Sequence, residues 1–520
     1  MNGSMDGPRK RQRVDGEEQG DRLRSLSTPI SPPRKSQRRE LGRLASPWQL
    51  TWIRDLPEEL NRDAVTLKDL LGDPLISECW EFNYLHDIPF LMDAFDQDTR
   101  HLVDVHVVHG FWKREDANRL ALTMEASEYS NVKLHVAPMP EMFGTHHSKM
   151  MVLFRHDDTA EVIIHTANMI PKDWTNMTNA VWRSPCLSKL PAESKKSPEY
   201  SSLQIGSGER FRADLINYLR AYDSRKITCG PLVDKLSQYD FSSVKGALIA
   251  SVPGKHDIHD LSDTAYGWSA ARRYLSSVPC KEGNAEIVTQ VSSIATLGAK
   301  DTWLQKTLFD ALAISKKKTL PRPKFKVVFP TADEIRKSLD GYASGASIHT
   351  KIQSPQQAQQ LTYLRPIFCH WANDSKDGTV ASTETGASNG GRDGAAPHIK
   401  TYIRYNAEGS IDWAMLTSAN ISKQAWGEAA KPSGEVRVAS WEIGVLVWPE
   451  LFGPKASMVG TFQSDTPNEK SIPKSDDDEV LIGIRIPYSM PLQGYGAREV
   501  PWVATMNHSE PDHLGRRWIE

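Results

Sequence analysis

The sequence contains two copies of one set of side chains whose types and spacing can support catalysis. In each copy a histidine and a lysine stand two positions apart, and an asparagine follows 21 residues after the first histidine and 22 after the second. The residues are His147, Lys149 and Asn168 in one copy and His398, Lys400 and Asn420 in the other. Because this spacing recurs after 251 residues, we interpret it as an internal duplication.

These side chains suit the cleavage of a phosphodiester. One imidazole can attack phosphorus and form a phosphohistidine, while a second, protonated imidazole can deliver a proton to the leaving oxygen. Lysine and asparagine supply positive charge and N–H donors to the non-bridging oxygens, where charge is held in the transition state. The set predicts chemistry that needs no metal and no other cofactor.

Apolar segments after each His-x-Lys string predict the strands that position these groups. Residues 150–154 and 161–165 form a predicted hairpin, and residues 401–404 and 413–416 repeat it. If the strings themselves are extended, each histidine and its lysine project from one face of a sheet. Two such units, facing each other across a pseudo-twofold axis, would gather both sets at one point.

Strands and helices alternate along the rest of the chain. Strands are predicted at 101–108 and 132–136. Two apolar helix faces are marked by Phe211, Leu215, Tyr218, Leu219 and Tyr222 and by Trp303, Leu304, Leu308 and Leu312. The predicted fold class is therefore α/β, with two similar domains at 48–241 and 242–520 related by pseudo-twofold symmetry.

The quoted residues resemble the phospholipase D superfamily, and within it the tyrosyl-DNA phosphodiesterase branch. The superfamily motif places an aspartate five residues after the lysine, where this sequence has Phe154 and Tyr405. The absence of that aspartate, with both asparagines present, is typical of the tyrosyl-DNA branch. Longer strings agree, at 143–150, 397–402, 418–423 and 442–446, and the resemblance runs from about Trp48 to the C-terminus.

The resemblance implies a role for each site residue. His147 would be the nucleophile, His398 the acid and then the base, and the two lysines and two asparagines would bind the phosphoryl oxygens. Glu442 occupies a position that orients one catalytic histidine through its second ring nitrogen. The matching position in the first half is glutamine in the family but Asn179 here, one methylene shorter.

The resemblance also implies the substrate. It would be a DNA 3′ end, single-stranded or double-stranded, that carries a tyrosine or peptide from a type I topoisomerase, so the activity would be that of an exonuclease-type hydrolase in DNA repair. Tyr84 and Phe143 would lie at the mouth of the site. Ser293, Thr296, Ser422 and Lys423 would line the track of the DNA backbone, with Thr296 replacing the usual serine but keeping its hydroxyl. The enzyme would act as a monomer.

Two other functions fit the sequence less well. A general phospholipase-D-like nuclease or lipid phosphodiesterase is disfavoured by the two missing aspartates and by a basic N-terminal segment. A non-catalytic DNA-binding scaffold is disfavoured because both histidines, both lysines and both asparagines are present. His146 is interpreted as structural, because adjacent strand residues face opposite ways, and Trp174 and Trp426 as core residues.

The composition is that of a large enzyme without membrane or secretory features. The 520 residues are 39% hydrophobic and 25% charged. The five scattered cysteines predict neither disulfides nor structural zinc, and hence a reducing compartment. No apolar run approaches the roughly 20 residues of a membrane span, and no apolar signal-peptide core is expected at the N-terminus.

The net charge of −2 hides a basic N-terminal segment. Residues 1–47 carry eleven lysines and arginines against six acidic residues, with basic clusters at 9–13 and 34–39. The segment lacks aromatic residues, so a disordered tail and a nuclear localisation are predicted, with a merely solvated tail as the alternative. Residues 187–202, 374–396 and 464–479 are predicted to be exposed loops.

Overall fold

A computed structural model describes residues 42–191, 199–224, 226–373, 388–468 and 480–519. Its strands are β1 Arg43–Leu44, β2 Trp48–Leu50, β3 Ile76–Phe82, β4 Asp104–His109, β5 Val132–Val136, β6 Met150–Arg155, β7 Thr159–His165, β8 Ala180–Arg183, β9 Leu187–Ser188, β10 Ala247–Ser251, β11 Gly254–Asp257, β12 Glu286–Gln290, β13 Lys324–Val328, β14 Phe368–Cys369, β15 Thr401–Tyr405, β16 Ile411–Thr417, β17 Glu435–Val438, β18 Glu442–Val447, β19 Ala456–Thr461 and β20 Val480–Arg485.

The helices lie between these strands. They are α1 Leu67–Leu71, α2 Ile88–Ala94, α3 Ala117–Ala126, α4 Pro171–Thr175, α5 Gly208–Arg220, α6 Gly230–Leu236, α7 Trp268–Leu275, α8 Asp310–Leu312, α9 Ala332–Lys337, α10 Tyr342–Gly345, α11 Pro355–Leu364 and α12 Lys423–Trp426. Shorter 3₁₀ turns occur at Glu58–Asn61, Tyr200–Ser202, Ala221–Asp223, Arg365–Ile367 and Pro449–Leu451, and a π-helical turn at Leu304–Phe309 precedes α8.

Two sheets repeat one topology, which confirms the predicted duplication. The first has the order β2-β8-β7-β6-β3-β4-β5, and the second contains the order β10-β18-β16-β15-β12-β13-β14. In both, three strands at one end pair in parallel and the remaining neighbours are antiparallel. Strand β9 adds to the first sheet, and β1, β20 and β19 extend the second. The predicted α/β class with two similar units is confirmed.

Alternating residues of the central strands enter different cores. In β6, Met150 and Val152 pack into a core that also holds Ile403 and Leu416 from the second sheet, together with buried residues of α5 and α6. Met151 of the same strand faces a core formed with α1, α2 and α3. A third core covers the other face of the second sheet with α7 and α8. Because the central core joins both sheets, residues 43–520 form one compact unit, and the predicted boundary at 241/242 stays a prediction.

Several predicted elements are confirmed, and one detail at the site is wrong. Strand β5 and the hairpins β6–β7 and β15–β16 lie where the sequence places them, and the apolar face predicted around Phe211–Tyr222 is buried. His147 and Lys149, however, come just before β6, and His398 and Lys400 just before β15. The His-x-Lys strings are therefore loops leading into strands, because the segments before those strands bind the opposite half of the molecule instead of a neighbouring strand.

The N-terminal boundary also differs from the prediction. Residues 1–41 of the predicted tail lie outside the described residues, but Arg43–Leu44 pair in parallel with β20. The Ser46 N–H donates to the Asp465 carbonyl at 2.9 Å, and its hydroxyl accepts from the Arg485 N–H at 3.1 Å. The last residues of the predicted tail thus belong to the second sheet.

The predicted loops are described only in part, since 192–198, 374–387 and 469–479 lie outside the described residues. The end of the second loop is not exposed as predicted, since Arg392, Ala395 and Ala396 are buried. Its backbone is held there because the Trp371 indole N–H donates to the Arg392 carbonyl at 3.0 Å. All five cysteines are free thiols, and none of the helices within the described ranges could cross a membrane.

Candidate active site

Each His-x-Lys loop is bound to the half of the molecule that does not contain it. The His147 N–H donates to the Trp441 carbonyl at 3.0 Å, one residue before Glu442. In the same way, the His398 N–H donates to the Thr178 carbonyl at 2.9 Å, one residue before Asn179. Since β8 and β18 are equivalent strands, the two exchanges are related by the pseudo-twofold symmetry. Each histidine is thereby set beside the partner that the other half provides.

A buried chain of hydroxyl groups holds the first loop against α5. The His146 ring contacts the Asn83 carbonyl at 2.9 Å and the Tyr222 hydroxyl at 3.0 Å. Tyr222 bonds Tyr218 at 2.9 Å, and Tyr218 in turn contacts the Ser148 hydroxyl. Both ring nitrogens of His146 are used by protein groups, which agrees with its predicted structural role. The helix face expected from the sequence thus positions the loop that carries His147.

Glycine is required where this loop approaches the second half. A Cβ atom on Gly144 would lie 1.9 Å from the Ala439 carbonyl oxygen, which is far inside van der Waals contact. Beyond it, the Thr145 N–H donates to the Ser440 hydroxyl at 3.1 Å and its carbonyl accepts from the Trp441 N–H at 2.9 Å. Close backbone contact therefore fixes the approach to His147.

His147 is oriented by a carboxylate. Its Nδ1 lies 2.9 Å from Glu442 Oε2, and the same oxygen accepts from the Ser418 hydroxyl at 2.5 Å. Because an ionised carboxylate can only accept, the proton of neutral His147 lies on Nδ1 and the lone pair on Nε2. The His147 side chain is 17% exposed, whereas that of Glu442 is 5% exposed. This tautomer is the one that a nucleophilic imidazole needs.

His398 has two acceptors beside the same ring nitrogen. Its Nδ1 lies 3.1 Å from Asn179 Oδ1 and 3.2 Å from Asp173 Oδ2. Asn179 is held by the Thr166 hydroxyl, which donates to Oδ1 at 2.9 Å, and by its own Nδ2, which donates to the Asp173 carbonyl at 2.8 Å. The shorter side chain thus reaches His398 directly, without a bridging group.

The two lysines are buried beside the histidines. Each ammonium group contacts the backbone carbonyl of its own histidine, Lys149 at 3.4 Å from His147 O and Lys400 at a shorter distance from His398 O. Burial lowers the pKa of Lys149 to about 8, although the carboxylates of Glu442, Asp173 and Glu81 act in the opposite direction. Burial and the charge of Lys149 lower the pKa of Lys400 well below its usual value. Two ammonium groups that repel each other in this way are suited to hold an anion between them.

The electrostatic setting of the two histidines differs. Burial lowers the pKa of His147, while Glu442 raises it and the ammonium groups of Lys149 and Lys400 lower it further. Burial lowers the pKa of His398 well below its usual value, and Lys400, Lys149, His147 and Lys172 add to that effect. An anionic substrate would offset this repulsion, so the site is arranged to take up protons when a phosphate group binds.

The asparagines are fixed by different means in the two halves. Asn420 Oδ1 accepts from the backbone N–H groups of Ser293 at 2.9 Å and Ser292 at 3.1 Å. Asn168 donates one Nδ2 hydrogen to Asp173 Oδ2 at 2.9 Å, and its backbone N–H donates to the same oxygen at 2.7 Å. Each amide keeps at least one N–H that these bonds leave available for a phosphoryl oxygen.

Two predicted substrate residues lie on the first half near His147. The Tyr84 ring centroid is 6.0 Å from that of His147, and Tyr84 is 36% exposed. Phe143 is 78% exposed and precedes the glycine that leads into the His147 loop. Trp174 and Trp426, by contrast, are buried, with their indole N–H groups bonded to Asn168 O and the Tyr402 hydroxyl, which confirms their predicted place in the core.

The other predicted substrate residues lie on the second half. Ser293 and Thr296 line a cavity of about 290 Å³ together with Ile294, Ala295, His349, Lys351, Gln357, Gln360 and Gln424. The Thr296 hydroxyl accepts from Gln357 Nε2 at 2.8 Å. Ser422 caps α12 by accepting from the Ala425 N–H at 2.9 Å, and Lys423 begins that helix. The cavity adjoins the site because Ser293 bonds Asn420.

Sequence reasoning missed three groups that the structure brings to this region. Asp173 follows Asn168 by five residues and touches both Asn168 and His398, but a lone aspartate at that spacing carries no motif. His349 and Lys351 join the cavity from a segment without any predicted role. A backbone bridge between Ser293 and His349 brings that segment to the cavity. Among the described residues, no group of three or more His, Cys, Asp or Glu could hold a metal ion.

Comparisons with known proteins point to a single family. The family model for tyrosyl-DNA phosphodiesterase matches residues 47–496. A probable tyrosyl-DNA phosphodiesterase of Schizosaccharomyces pombe is 29% identical over 94% of this chain and 99% of its own length. Tyrosyl-DNA phosphodiesterase 1 of Arabidopsis thaliana is 27% identical over 92% of this chain and 77% of its own length.

A solved structure agrees in fold. The crystal structure of yeast tyrosyl-DNA phosphodiesterase superposes with a TM-score of 0.62 at 19% identity, over 89% of this chain and 99% of the yeast chain. The duplicated α/β architecture is thus shared, and the family match covers both His-x-Lys-Asn sets. The chain belongs to the tyrosyl-DNA phosphodiesterase family and is a phosphodiesterase.

Proposed function

We propose that this enzyme hydrolyses the bond between a DNA 3′-phosphate and a tyrosine or peptide left by a type I topoisomerase, and removes other 3′ adducts in the same way. The observation that best supports this proposal is that two His-Lys-Asn sets converge, and that each histidine uses Nδ1 to bind an acceptor from the opposite half. Each Nε2 is thereby left for the reacting phosphate. Family membership supports the choice of substrate.

In the first step, His147 Nε2 attacks phosphorus and the bond to the tyrosine oxygen breaks. The DNA 3′-phosphate becomes covalently attached to His147, and the departing phenol oxygen takes a proton from His398. Glu442, at 2.9 Å from Nδ1, stabilises the positive charge that grows on His147 during attack. Lys149 and Lys400 offset the negative charge of the non-bridging oxygens in the transition state.

In the second step, a water molecule attacks the same phosphorus from the side that the phenol has left. His398, now neutral, accepts the proton of that water, and the bond from phosphorus to His147 breaks. The products are a DNA 3′-phosphate and the regenerated imidazole, so protons and charges balance over the cycle. His398 can act first as the acid and then as the base, because the leaving group and the water occupy the same face of the phosphorus.

The arrangement of the predicted contacts supports a two-armed groove. Ser293, Thr296, Ser422 and Lys423 offer hydroxyl and ammonium groups on the second half, which suit the phosphates of a DNA strand. Tyr84 and Phe143 offer aromatic faces on the first half at the mouth of the site. Contacts of this kind position a backbone without reading bases, so binding should tolerate any sequence and weaken with salt.

The direct test uses purified protein in EDTA with an oligonucleotide that bears a 3′-phosphotyrosine. We expect release of tyrosine and a 3′-phosphate end, with His147→Ala as the matched inactive control. Parallel reactions contain an unmodified oligonucleotide and phosphatidylcholine. Cleavage of internal DNA bonds or of the lipid, without release of tyrosine, would favour the general phospholipase-D-like alternative.

We also propose that the enzyme acts in the nucleus and as a monomer. The basic clusters at 9–13 and 34–39 support nuclear import, and they precede the first described strand. Removal of residues 1–41, which spares β1, should abolish nuclear enrichment of a fluorescent fusion and leave cleavage of a short oligonucleotide nearly unchanged. A large loss of cleavage would assign the segment to substrate binding. Light scattering of the full chain would test the monomer.

A further inference from the structure

The two catalytic histidines have unlike partners at equivalent positions. Asn179 and Glu442 occupy equivalent positions in the two sheets. His165 pairs with Val181, two residues after Asn179, and Thr417, the equivalent of His165, pairs with Gly444, two residues after Glu442. At that position, His147 receives a carboxylate and His398 an amide. The position equivalent to Asp173, five residues after the asparagine, is Ala425 in the second half. Each histidine thus has one carboxylate beside Nδ1, Glu442 for His147 and Asp173 for His398, but the two carboxylates come from non-equivalent positions.

We propose that Asp173 supplies the negative charge that stabilises protonated His398, while Asn179 sets the direction of the His398 Nδ1–H bond. Asp173 is therefore a positioning residue that acts through His398. This inference rests on the proposed function in one respect, the role of His398 as the acid. Asp173 Oδ2 lies 3.2 Å from His398 Nδ1, and both side chains are almost fully buried.

Hydrogen-bond donors and cations around Asp173 act against burial, which disfavours its ionised form. Its Oδ2 accepts two hydrogen bonds from Asn168, one from the backbone and one from the side chain, and bonds of this kind favour the charged form. Burial raises the pKa of Asp173 above its usual value, and the Asn168 backbone N–H and the ammonium groups of Lys149, Lys400 and Lys172 limit that rise. Its other oxygen is buried with no hydrogen-bond partner among the described residues.

The charges that face His398 show why a carboxylate is needed. Lys400, Lys149, Lys172 and His147 all act against its protonation, and Asn179 is neutral. Asp173 is the one acidic side chain in direct contact with the His398 ring within the described ranges. Without its charge, the neutral Asn179 and the bound phosphate would be left to stabilise the imidazolium that protonates the leaving group.

This division of roles predicts distinct effects for the two partners. Asp173→Asn removes the charge and should shift the alkaline limb of the first-step rate to lower pH, because protonated His398 is lost sooner. It should slow release of tyrosine more than release of 4-nitrophenol, a better leaving group that needs less protonation. Asn179→Ala should slow both substrates to a similar extent without moving the limb.

The carboxylate can also be moved to test whether charge is what matters. In the double variant Asp173→Asn/Asn179→Asp, the acid stands where the other half has Glu442. We expect it to restore most of the leaving-group preference and the position of the alkaline limb. A purely structural role for Asp173, in holding Asn168, would not be rescued by this change.

NMR titration of His398 makes the test independent of turnover. With labelled histidine, we expect the pKa of His398 to fall in Asp173→Asn, to change little in Asn179→Ala and to recover in the double variant. An unchanged pKa in the folded Asp173→Asn protein, or equal slowing of both substrates, would overturn the proposal. Failure of the wild type to release tyrosine would instead refute the proposed function, while the titration would still decide the role of Asp173.

Discussion

The two halves of this enzyme contribute the same three side chains but surround them differently. His147 is partly exposed and hydrogen-bonded to Glu442, whereas His398 is buried between Asn179, Asp173 and three lysines. The first setting favours a neutral imidazole with a free Nε2, which suits a nucleophile. The second setting makes protonation depend on nearby negative charge, which suits an acid that works only when an anion is bound. In the proposed mechanism, these different surroundings give the two copies of the motif different roles.

Exchange of partners between the halves makes this possible. Because each histidine is oriented by a residue of the opposite half, a change in one half alters the environment of the other half's histidine. Asn179 and Asp173 belong to the first half and act on His398, while Glu442 belongs to the second and acts on His147. The roles of the two histidines can therefore diverge without any change in the His-x-Lys strings.

The largest effect that separates the halves is expected from the histidines themselves. His147→Ala should lower turnover by at least about a thousandfold and trap nothing, since no nucleophile remains. His398→Asn should allow slow attack, because a tyrosine phenol with a pKa of about 10 can leave without its acid, and then accumulate an enzyme–DNA adduct. Denaturing gels would detect the adduct. An adduct with the His147 variant would exchange the two roles.

The partner of His147 should have the next largest effect. Glu442→Gln keeps an acceptor beside Nδ1 but removes the charge, so the first step should slow roughly 10-fold to 160-fold, as expected for a charge-assisted bond of about 1.5–3 kcal/mol. Since Glu442 raises the pKa of His147, its loss should move the acidic limb of the first-step rate to lower pH. Single-turnover rates from pH 5 to 9 would measure both. A limb that moves upward contradicts this assignment.

The lysines predict a pH dependence of binding. Burial lowers the pKa of Lys149 to about 8, so its ammonium loses the proton as pH rises through that value in the free enzyme. Above pH 8, affinity for a 3′-phosphotyrosine oligonucleotide should fall by up to about tenfold per pH unit. Fluorescence anisotropy with the inactive His147→Ala protein would measure it, and Lys149→Met in that background should bind weakly with a shallower dependence. Constant affinity from pH 7 to 10 would refute the prediction.

The smallest effect is expected from Asn179. Its Oδ1 makes one hydrogen bond to His398, typically worth about 0.5–1.5 kcal/mol, so Asn179→Ala should slow turnover by roughly threefold to tenfold. The loss is limited because Asp173 remains 3.2 Å from the same nitrogen. Turnover on the phosphotyrosine substrate would show this. A loss as large as that of Glu442→Gln would mean that orientation, not charge, dominates at His398.

Much of the fold follows from local patterns in the sequence. The hairpins β6–β7 and β15–β16 come from apolar runs with a polar turn between them, and the buried face of α5 comes from the spacing of Phe211, Leu215 and Leu219. The π-helical turn at Leu304–Phe309 was not predicted, because its apolar spacing also fits an ordinary helix. The buried end of the 374–396 segment was not predicted either, since its polar composition gives no sign of the contact with Trp371.

The sequence by itself determined the repeated histidine, lysine and asparagine residues, the α/β hairpins beside them and the phosphodiester chemistry that they suit. Only the tertiary structure decided which partner serves which histidine. Glu442 is 295 residues from His147, and Asn179 is 219 residues from His398. Asp173 belongs to no recognisable sequence motif, so only the structure shows that it lies beside His398. The physical reason is that hydrogen bonding and charge act over a few ångströms in space, and the pairing of two sheets, not spacing along the chain, sets which groups come that close.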